Sequence, residues 1–259
     1  LVFVCLHPFA LASEPAESTE FTESVAMDSY NEGWFQYNIE GEDWSTIIHY
    51  PAEGDGGVMT PINSSGAPFP ILVWYIDEGE EQDNYDWLAD GLASSGFIVV
   101  VLPDIFSTDD TADNEELIQS TYLLLDALNA SNISGFEDVD NGIGAFDMEH
   151  WGVGGHGKGA SLAATINLGW IQFFDLELSI TQYHPPRALV GLSYDHSSIT
   201  LANLGTSPSV PAYALFMTGT ADEITPASDH VDKLLEWWPD GWQLIEPLGA
   251  NHINYQDEQ

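Results

Sequence analysis

Blocks of apolar and polar residues along this chain predict strands and helices in turn. Continuous apolar runs at Ile71–Ile76 and Phe97–Leu102 predict strands that are buried on both faces. The amphipathic stretch between them, about 84–94, predicts a helix, and strand, helix and strand at this spacing form a βαβ unit. Upstream, the alternation in Phe35–Ile39 and Ser45–Tyr50 predicts a β-hairpin with a glycine-containing turn.

The rest of the chain continues this order of elements. The patterns predict helices over 115–129, 158–170 and 227–238, and strands over 149–153, 188–192, 212–217 and 242–246. We therefore predict the α/β class, with a doubly wound, mainly parallel sheet and helices on both faces. A length of 259 residues suits a single α/β domain, which we place at residues 33–259.

The N-terminal residues predict export of the protein. Residues 1–12 are apolar and uncharged and end in Ala10-Leu11-Ala12, which is typical of the second half of a signal peptide with its cleavage site. A buried N-terminal strand is the alternative. Residues 13–32 are acidic and rich in Ser and Thr, which predicts an exposed leader. The only cysteine, Cys5, lies in the signal-like segment, so the mature protein is expected to have no disulfide.

The charge balance excludes several classes of partner. The chain has 42 acidic residues against three lysines and arginines, for a formal net charge of -39. Such a surface repels phosphate backbones and anionic lipid head groups, so nucleic-acid binding and electrostatic membrane binding are disfavoured. It is typical of proteins from salty surroundings, and a dedicated cation-binding role is the less favoured alternative. No transmembrane span is predicted, and the oligomeric state stays open.

A glycine-rich segment in the middle of the chain has the pattern of a nucleophile elbow. Residues 151–160 (WGVGGHGKGA) predict a short strand, a sharp turn and the start of a helix. In the G-x-S-x-G pattern, flanking glycines allow the tight turn that exposes the central serine. Here Gly155 and Gly159 are the flanking glycines, and the central residue is Gly157, which has no side chain.

Two further residues follow the elbow in the order of a Ser-Asp-His triad. Asp222 ends a strand in the segment TGTADEITP, and His252 lies on a loop after the last strand in GANHINYQD. Nucleophile, acid and histidine occur in this chain order in α/β-hydrolases. Taken alone, Asp222 would be interpreted as the cap of the helix near Pro226, and His252 as a surface histidine.

The chain resembles the α/β-hydrolase superfamily, and within it secreted esterases close to dienelactone hydrolase, platelet-activating-factor acetylhydrolase, chlorophyllase and the cutinase-like polyester hydrolases. The resemblance runs from about Tyr50 to Asp257 and rests on six segments in order: YPA (50–52), PFPILVW (68–74), LADGLASSGFIVVVLPD (88–104), GVGGHGKGASLAA (152–164), TGTADEITP (218–226) and GANHINYQD (249–257). Relatives usually add a helix after the histidine, so the resemblance implies a chain truncated at its C-terminus.

The resemblance also implies a role for each site residue. Asp222 would orient His252, and His252 would act as general base and then general acid. The backbone N–H of Lys158, which follows the nucleophile position, would donate to the oxyanion. The neighbouring His156 is expected to point away from the site, and Ser161 to face the packed helix.

The chain departs from this pattern at two places. Gly157 offers no hydroxyl for His252 to deprotonate. In relatives the loop after the Ile71–Ile76 strand usually carries a His-Gly dipeptide and a backbone N–H that completes the oxyanion hole, whereas here it reads Asp77-Glu78-Gly79-Glu80-Glu81. A carboxylate ~6 Å from a developing oxyanion would oppose it by roughly 3 kcal/mol. A solvated acidic loop is the alternative interpretation of Asp77.

Three functions are consistent with these patterns. The favoured one is an exported α/β-hydrolase-fold protein that has lost serine-esterase activity and keeps a cleft for a small ester-like or apolar ligand. The second is an active carboxylic ester hydrolase that uses His252 and Asp222, and the third is an exported structural or partner-binding protein. No cofactor and no metal site are predicted, because the histidine spacings fit no zinc motif and the calcium-like stretch 138–149 lacks two required residues.

Overall fold

A computed structural model of the chain describes residues 29–38, 44–104, 111–129, 144–167, 186–198, 212–236, 238 and 241–256. Within them, nine strands form one sheet. The strands are β1 (Asn31–Asn38), β2 (Ser45–Ala52), β3 (Gly57–Val58), β4 (Phe69–Tyr75), β5 (Ile98–Leu102), β6 (Phe146–His156), β7 (Ala188–Leu192), β8 (Tyr213–Met217) and β9 (Trp242–Ile245). The α-helices are α1 (Asp86–Ala93), α2 (Thr111–Asn129), α3 (Lys158–Asn167) and α4 (Val231–Leu235).

The sheet is mixed and mostly parallel. Its strand order is β3-β1-β2-β5-β4-β6-β7-β8-β9. β2 is antiparallel to both of its neighbours, β1 and β5, whereas every pair from β5 to β9 is parallel. The prediction of an α/β protein with a mainly parallel sheet is therefore confirmed.

Apolar side chains on the two faces of the central strands build two separate cores. Along β4, Val73 and Tyr75 join a cluster that includes residues of α2, α3 and α4. Leu72 and Trp74 alternate with them and join a second cluster with α1. A strand that is apolar at every position is thus explained by helices on both of its faces.

Three details of the elements differ from the prediction. The strand β3 was missed, because two residues are too few to show an alternation. β1 begins at Asn31, so the end of the predicted acidic leader lies in the sheet. The predicted helix 227–238 is a 3-10 turn followed by the short α4, because His230 between them has non-helical backbone angles, φ −123° and ψ −86°.

Several predicted segments fall outside the described residues. They are the signal-like segment with Cys5, most of the acidic leader, the hairpin turn, residues 168–170 and the first half of the calcium-like stretch. Within the ranges that the structure describes, no helix is long and apolar enough to cross a membrane.

Candidate active site

The loops after four parallel strands meet at one edge of the sheet. Asp77 follows β4, Gly157 follows β6, Asp222 follows β8 and His252 follows β9. Because these strands run in the same direction, their carboxyl ends lie at the same edge, where α/β proteins place their ligand sites. The structure therefore brings together the residues that the sequence selected.

Gly157 has the backbone conformation of an elbow between β6 and α3. Its φ is +52°, in the left-handed region that side chains adopt only under strain. Its N–H donates to the carbonyl oxygen of Leu192 at 2.9 Å, and its own carbonyl accepts from the N–H of Asp195 at 3.2 Å. These two hydrogen bonds fix the turn to β7 and to the loop that follows β7.

The carboxylate of Asp77 fills the space in front of this elbow. A Cβ atom built on Gly157 would lie 2.1 Å from Asp77 Oδ1 and 2.4 Å from Asp77 Oδ2. Non-bonded heavy atoms do not approach this closely. The volume that a nucleophilic side chain would occupy at position 157 therefore belongs to Asp77.

Both oxygens of the Asp77 carboxylate are bound. Oδ1 accepts from the backbone N–H of Lys158 at 2.8 Å and from the N–H of Glu78 at 2.9 Å. Oδ2 lies 2.8 Å from Nε2 of His252. From the sequence, we expected this carboxylate to lie ~6 Å from a developing oxyanion and to oppose its charge. Instead, it occupies the oxyanion position at the N–H of Lys158.

The imidazole of His252 bridges two carboxylates. Its Nε2 faces Asp77, and its Nδ1 lies 3.1 Å from Asp222 Oδ2 and 3.0 Å from the hydroxyl oxygen of Thr225. The Thr225 hydroxyl also donates to Asp222 Oδ2 at 2.9 Å, and its backbone N–H donates to Asp222 Oδ1 at 2.8 Å. An imidazolium donates from both ring nitrogens, so it satisfies both carboxylates at once.

The ionisation of the three groups agrees with this geometry. Burial disfavours the imidazolium, but the carboxylates of Asp77 and Asp222 outweigh burial and raise the pKa of His252. Burial also works against the Asp77 carboxylate, yet the hydrogen bonds from His252 and from the two backbone N–H groups lower its pKa. Likewise, the pKa of Asp222 is lowered despite burial, chiefly by the Thr225 N–H. The resting site is therefore carboxylate, imidazolium and carboxylate.

His156 faces the site, and the prediction that it points away is wrong. Its ring lies 4.6 Å from that of His252 between centroids, at an interplanar angle of 34°. The Tyr85 hydroxyl lies 2.8 Å from His156 Nδ1 and accepts the N–H of Asp77 at 3.2 Å. Burial lowers the pKa of His156 to about 4, so this ring is neutral. No sequence motif marked Tyr85, which reaches the site from the 3-10 turn just before α1.

Two contacts fix the loop that carries Asp77. Lys158 Nζ forms an ion pair with Glu78 Oε2 at 2.5 Å, which joins the loop to the start of α3. The N–H of Gly79 donates to Asp104 Oδ2 at 2.6 Å, which joins the loop to the residues after β5. These two contacts anchor the loop to the start of α3 and to the residues after β5. Lys158 thus contributes its side chain as well as its backbone N–H.

The site residues favour an ion pair over a metal centre. Asp77, His156 and His252 offer ligand atoms within 4.8 Å of one another. Two of these ligand atoms, Nε2 of His252 and Oδ2 of Asp77, already pair with each other at 2.8 Å. The hydroxyl of Ser161, one turn after the elbow, is buried and donates to the carbonyl oxygens of Gly157 and Asp195. Its burial matches the expectation for Ser161.

We expect the pH dependence of stability to rely on Asp77. Because the pKa of His252 is raised by folding, its contribution is complete below about pH 6.5 and is lost as the pH rises through the folded-state pKa. The lowered pKa values of both aspartates keep them ionised throughout this range. Asp77→Asn removes one of the two charges that raise the pKa of His252. When the pH is raised from 6 to 9, the Tm of this variant should therefore fall less than the Tm of the parent protein.

The measurement is thermal unfolding of both proteins at fixed high salt, which screens the general self-repulsion of the acidic surface equally. Asp83→Asn, at an exposed carboxylate of the same region, serves as the charge-matched control and should follow the parent protein. An equal loss of Tm in Asp77→Asn and the parent would contradict the assignment.

A cleft beside the loop that carries Asp77 is acidic. It has a volume of about 430 Å³, and the carboxylates of Glu80, Glu81, Asp83 and Asp104 are among the groups that line it. Such a lining disfavours anionic ligands. When the sequence is compared with protein-family models and with curated proteins, neither comparison gives a match.

Proposed function

We propose that this chain is an exported α/β-hydrolase-fold protein, related to the serine carboxylic-ester hydrolases, that does not hydrolyse esters through an acyl-serine. One observation carries the proposal, namely that Asp77 occupies both the side-chain space of the elbow and the N–H donor of Lys158. The acidic surface, with a net charge of -39, suits a protein that works in salty surroundings.

The arrangement of the four loops supports the proposed fold relationship. An elbow follows a central strand of a mainly parallel sheet, and an aspartate and a histidine follow two later strands. Asp222 and His252 are in hydrogen-bond contact, as an acid and a base of a triad would be. Triads are recognised by this geometry and these roles rather than by sequence position.

Acyl transfer lacks three of its requirements at this site. Gly157 supplies no hydroxyl, and the donors for a tetrahedral oxyanion already bind Asp77 Oδ1. His252 cannot activate a water in place of the hydroxyl, because its Nε2 is already paired with Asp77. Attack of the Asp77 carboxylate on an alkyl ester would form an anhydride and expel a strongly basic alkoxide, so this step would revert.

The first test is ester hydrolysis by the unmodified protein in high salt. We expect no turnover of a short-chain nitrophenyl ester above the rate in buffer, and no covalent labelling by a fluorophosphonate. In a serine protease, loss of the nucleophile lowers kcat by about 10⁶. The measurement is release of nitrophenol, together with the intact mass of the protein after exposure to the fluorophosphonate.

The control is the His252→Ala variant. Any residual turnover should be the same in this variant, because it would come from the general surface of the protein. Ester turnover that is well above the buffer rate and disappears in His252→Ala would overturn the proposal. That result would favour the alternative of an active ester hydrolase that uses His252 and Asp222.

A further inference from the structure

A second cluster of ligand-type side chains lies between α1 and the first two strands. Glu32 on β1, His49 on β2 and Asp90 on α1 offer ligand atoms within 4.8 Å of one another. Asp86, one helical turn before Asp90, places its Oδ1 3.9 Å from Nε2 of His49. None of these residues belongs to the candidate active site, so the cluster needs an explanation of its own.

The imidazole of His49 is buried and unevenly paired. Only 3% of this residue is exposed. Its Nδ1 lies 3.0 Å from Glu32 Oε1 and 3.3 Å from Asp90 Oδ1, so two carboxylates converge on one nitrogen. Its Nε2, on the side of Asp86, is buried and has no hydrogen-bond partner in the part of the chain that the structure covers. A buried polar atom without a partner is costly, so the ring points to a ligand that the chain itself does not supply.

Neither neutral form of this ring suits its surroundings. With the proton on Nδ1, one N–H serves both Glu32 and Asp90, and Nε2 keeps an unpaired lone pair near a third carboxylate, that of Asp86. With the proton on Nε2, the lone pair of Nδ1 lies beside two carboxylate oxygens. His252 differs, because each of its nitrogens has a carboxylate of its own. A positive charge at Nδ1 would therefore stabilise the cluster.

The lysines and arginines of the chain do not supply this charge. There are three of them, and each makes its contact elsewhere: Lys158 with Glu78, Lys233 with Asp229, and Arg187 with the carbonyl oxygen of Glu149. Protonation of His49 would offset only one of the three carboxylate charges around it. A divalent cation offsets two, and bound cations are often the largest local charges in a site.

The spacing of the ligand atoms fits a metal ion. With bonds of about 2.1 Å, neighbouring ligand atoms lie about 3.0 Å apart in an octahedron and about 3.4 Å apart in a tetrahedron. The two distances from His49 Nδ1, 3.0 and 3.3 Å, lie in this range. An imidazole with carboxylates suits zinc, whereas calcium and magnesium prefer oxygen ligands alone. Because the side chains of Asp86 and Asp90 are about half exposed, an ion reaches the cluster from solvent.

We propose that Glu32, His49 and Asp90 bind a divalent transition-metal ion such as Zn²⁺ through Oε1, Nδ1 and Oδ1. His49 then carries its proton on Nε2, and Asp86 is the nearby acceptor, since a metal-bound histidine commonly donates its other N–H to a carboxylate. The ion joins α1 to β1 and β2. No histidine motif in the sequence shows this site, because its ligands come from three separate elements. The proposal goes beyond the proposed function, which concerns other residues.

The test is a calorimetric titration of the chelator-treated protein with Zn²⁺, in high salt and with Mg²⁺ in excess. Magnesium occupies loosely binding carboxylates but loses its water reluctantly, so it should not displace zinc from an imidazole site. We expect one zinc ion to bind per chain. At a free zinc concentration about 100 times the measured Kd, the Tm should rise by about 5 to 10 °C. Co²⁺ in place of zinc should shift the ring-proton NMR signals of His49 and leave those of His150 unchanged.

Matched variants separate this cluster from the other carboxylates and histidines. Asp90→Asn keeps the shape of a half-exposed ligand and removes its charge, so zinc affinity should fall at least about 10-fold. His150→Gln removes an exposed histidine that also contacts a carboxylate, that of Asp147, and should bind zinc like the parent protein. His252→Ala, in the active-site group of ligand atoms, should also bind zinc like the parent protein.

Three results would overturn the proposal. The first is no zinc binding in excess Mg²⁺, which would leave His49 as a salt-bridged histidine only. The second is equal zinc affinity in Asp90→Asn and the parent protein. The third is loss of zinc binding in His252→Ala, which would move the ion to the active site. None of these results depends on ester turnover or fluorophosphonate labelling, so a failure here leaves the proposed function standing.

Discussion

The double variant Gly157→Ser/Asp77→Ala is expected to react with a fluorophosphonate, whereas Gly157→Ser alone is expected not to react. A serine at 157 would place its Cβ 2.1 to 2.4 Å from the three carboxylate atoms of Asp77, so the single variant is overcrowded. Removal of the carboxylate frees the space, the N–H of Lys158 and Nε2 of His252 together. Because one oxyanion donor alone contributes on the order of 10²- to 10³-fold, labelling should rise by at least about 10³.

The measurement is the rate of mass increase of the intact protein with a fluorophosphonate in high salt. Gly157→Ser/Asp77→Ala/His252→Ala should lose the gain, because the hydroxyl then has no base. Asp77→Ala with Gly157 retained should not label, since it offers no hydroxyl. If Gly157→Ser alone labels as fast as the double variant, Asp77 does not block the elbow in solution.

A second large effect is expected from Gly159→Ala, at the end of the elbow motif. An added Cβ at this position would lie 2.2 Å from the carbonyl oxygen of Tyr75 and 2.4 Å from that of Ile76. Both contacts are to backbone of β4 and its loop, which cannot rotate away as a side chain can. We expect the free energy of unfolding to fall by about 3 kcal/mol, which corresponds to a fall in Tm of about 6 to 12 °C for a domain of this size.

Gly91→Ala is the matched control for this prediction. Gly91 lies in α1, and an added Cβ there meets no other atom within 4 Å. Replacement of glycine by alanine in a helix stabilises by roughly 0.5–1 kcal/mol when nothing clashes. Thermal and urea unfolding of both variants should therefore move in opposite directions. A stable Gly159→Ala would contradict the close packing of α3 on β4.

The sequence predicted the elements of the sheet better than their ends. The apolar runs 71–76 and 97–102 are both strands, because burial on two faces leaves a strong and local signal. The third and shortest strand, at 57–58, left no such signal. The helix predicted over 227–238 is broken at His230, whose Nδ1 lies 3.1 Å from Asp195 Oδ1 and accepts the N–H of His196. These contacts join loops that are far apart in the sequence.

The site was predicted in part for the same reason. The positions of Gly157, Asp222 and His252 followed from local motifs, and the structure brings them to one edge of the sheet. The decisive contact, between Asp77 and the elbow, joins residues from two different loops, and a motif cannot show which way a loop side chain turns. Asp77 was therefore interpreted as a nearby charge, although it is the group that the backbone donors bind.

The elbow and its occupant come from separate loops, so no single codon change converts the arrangement into a serine site. A path that first introduces a serine at 157 meets the clash with Asp77. One that first loses Asp77 leaves His252 facing two freed backbone donors with nothing between them. Each single change therefore leaves either a clash or unpaired groups at the elbow, and a serine nucleophile at 157 needs both changes together.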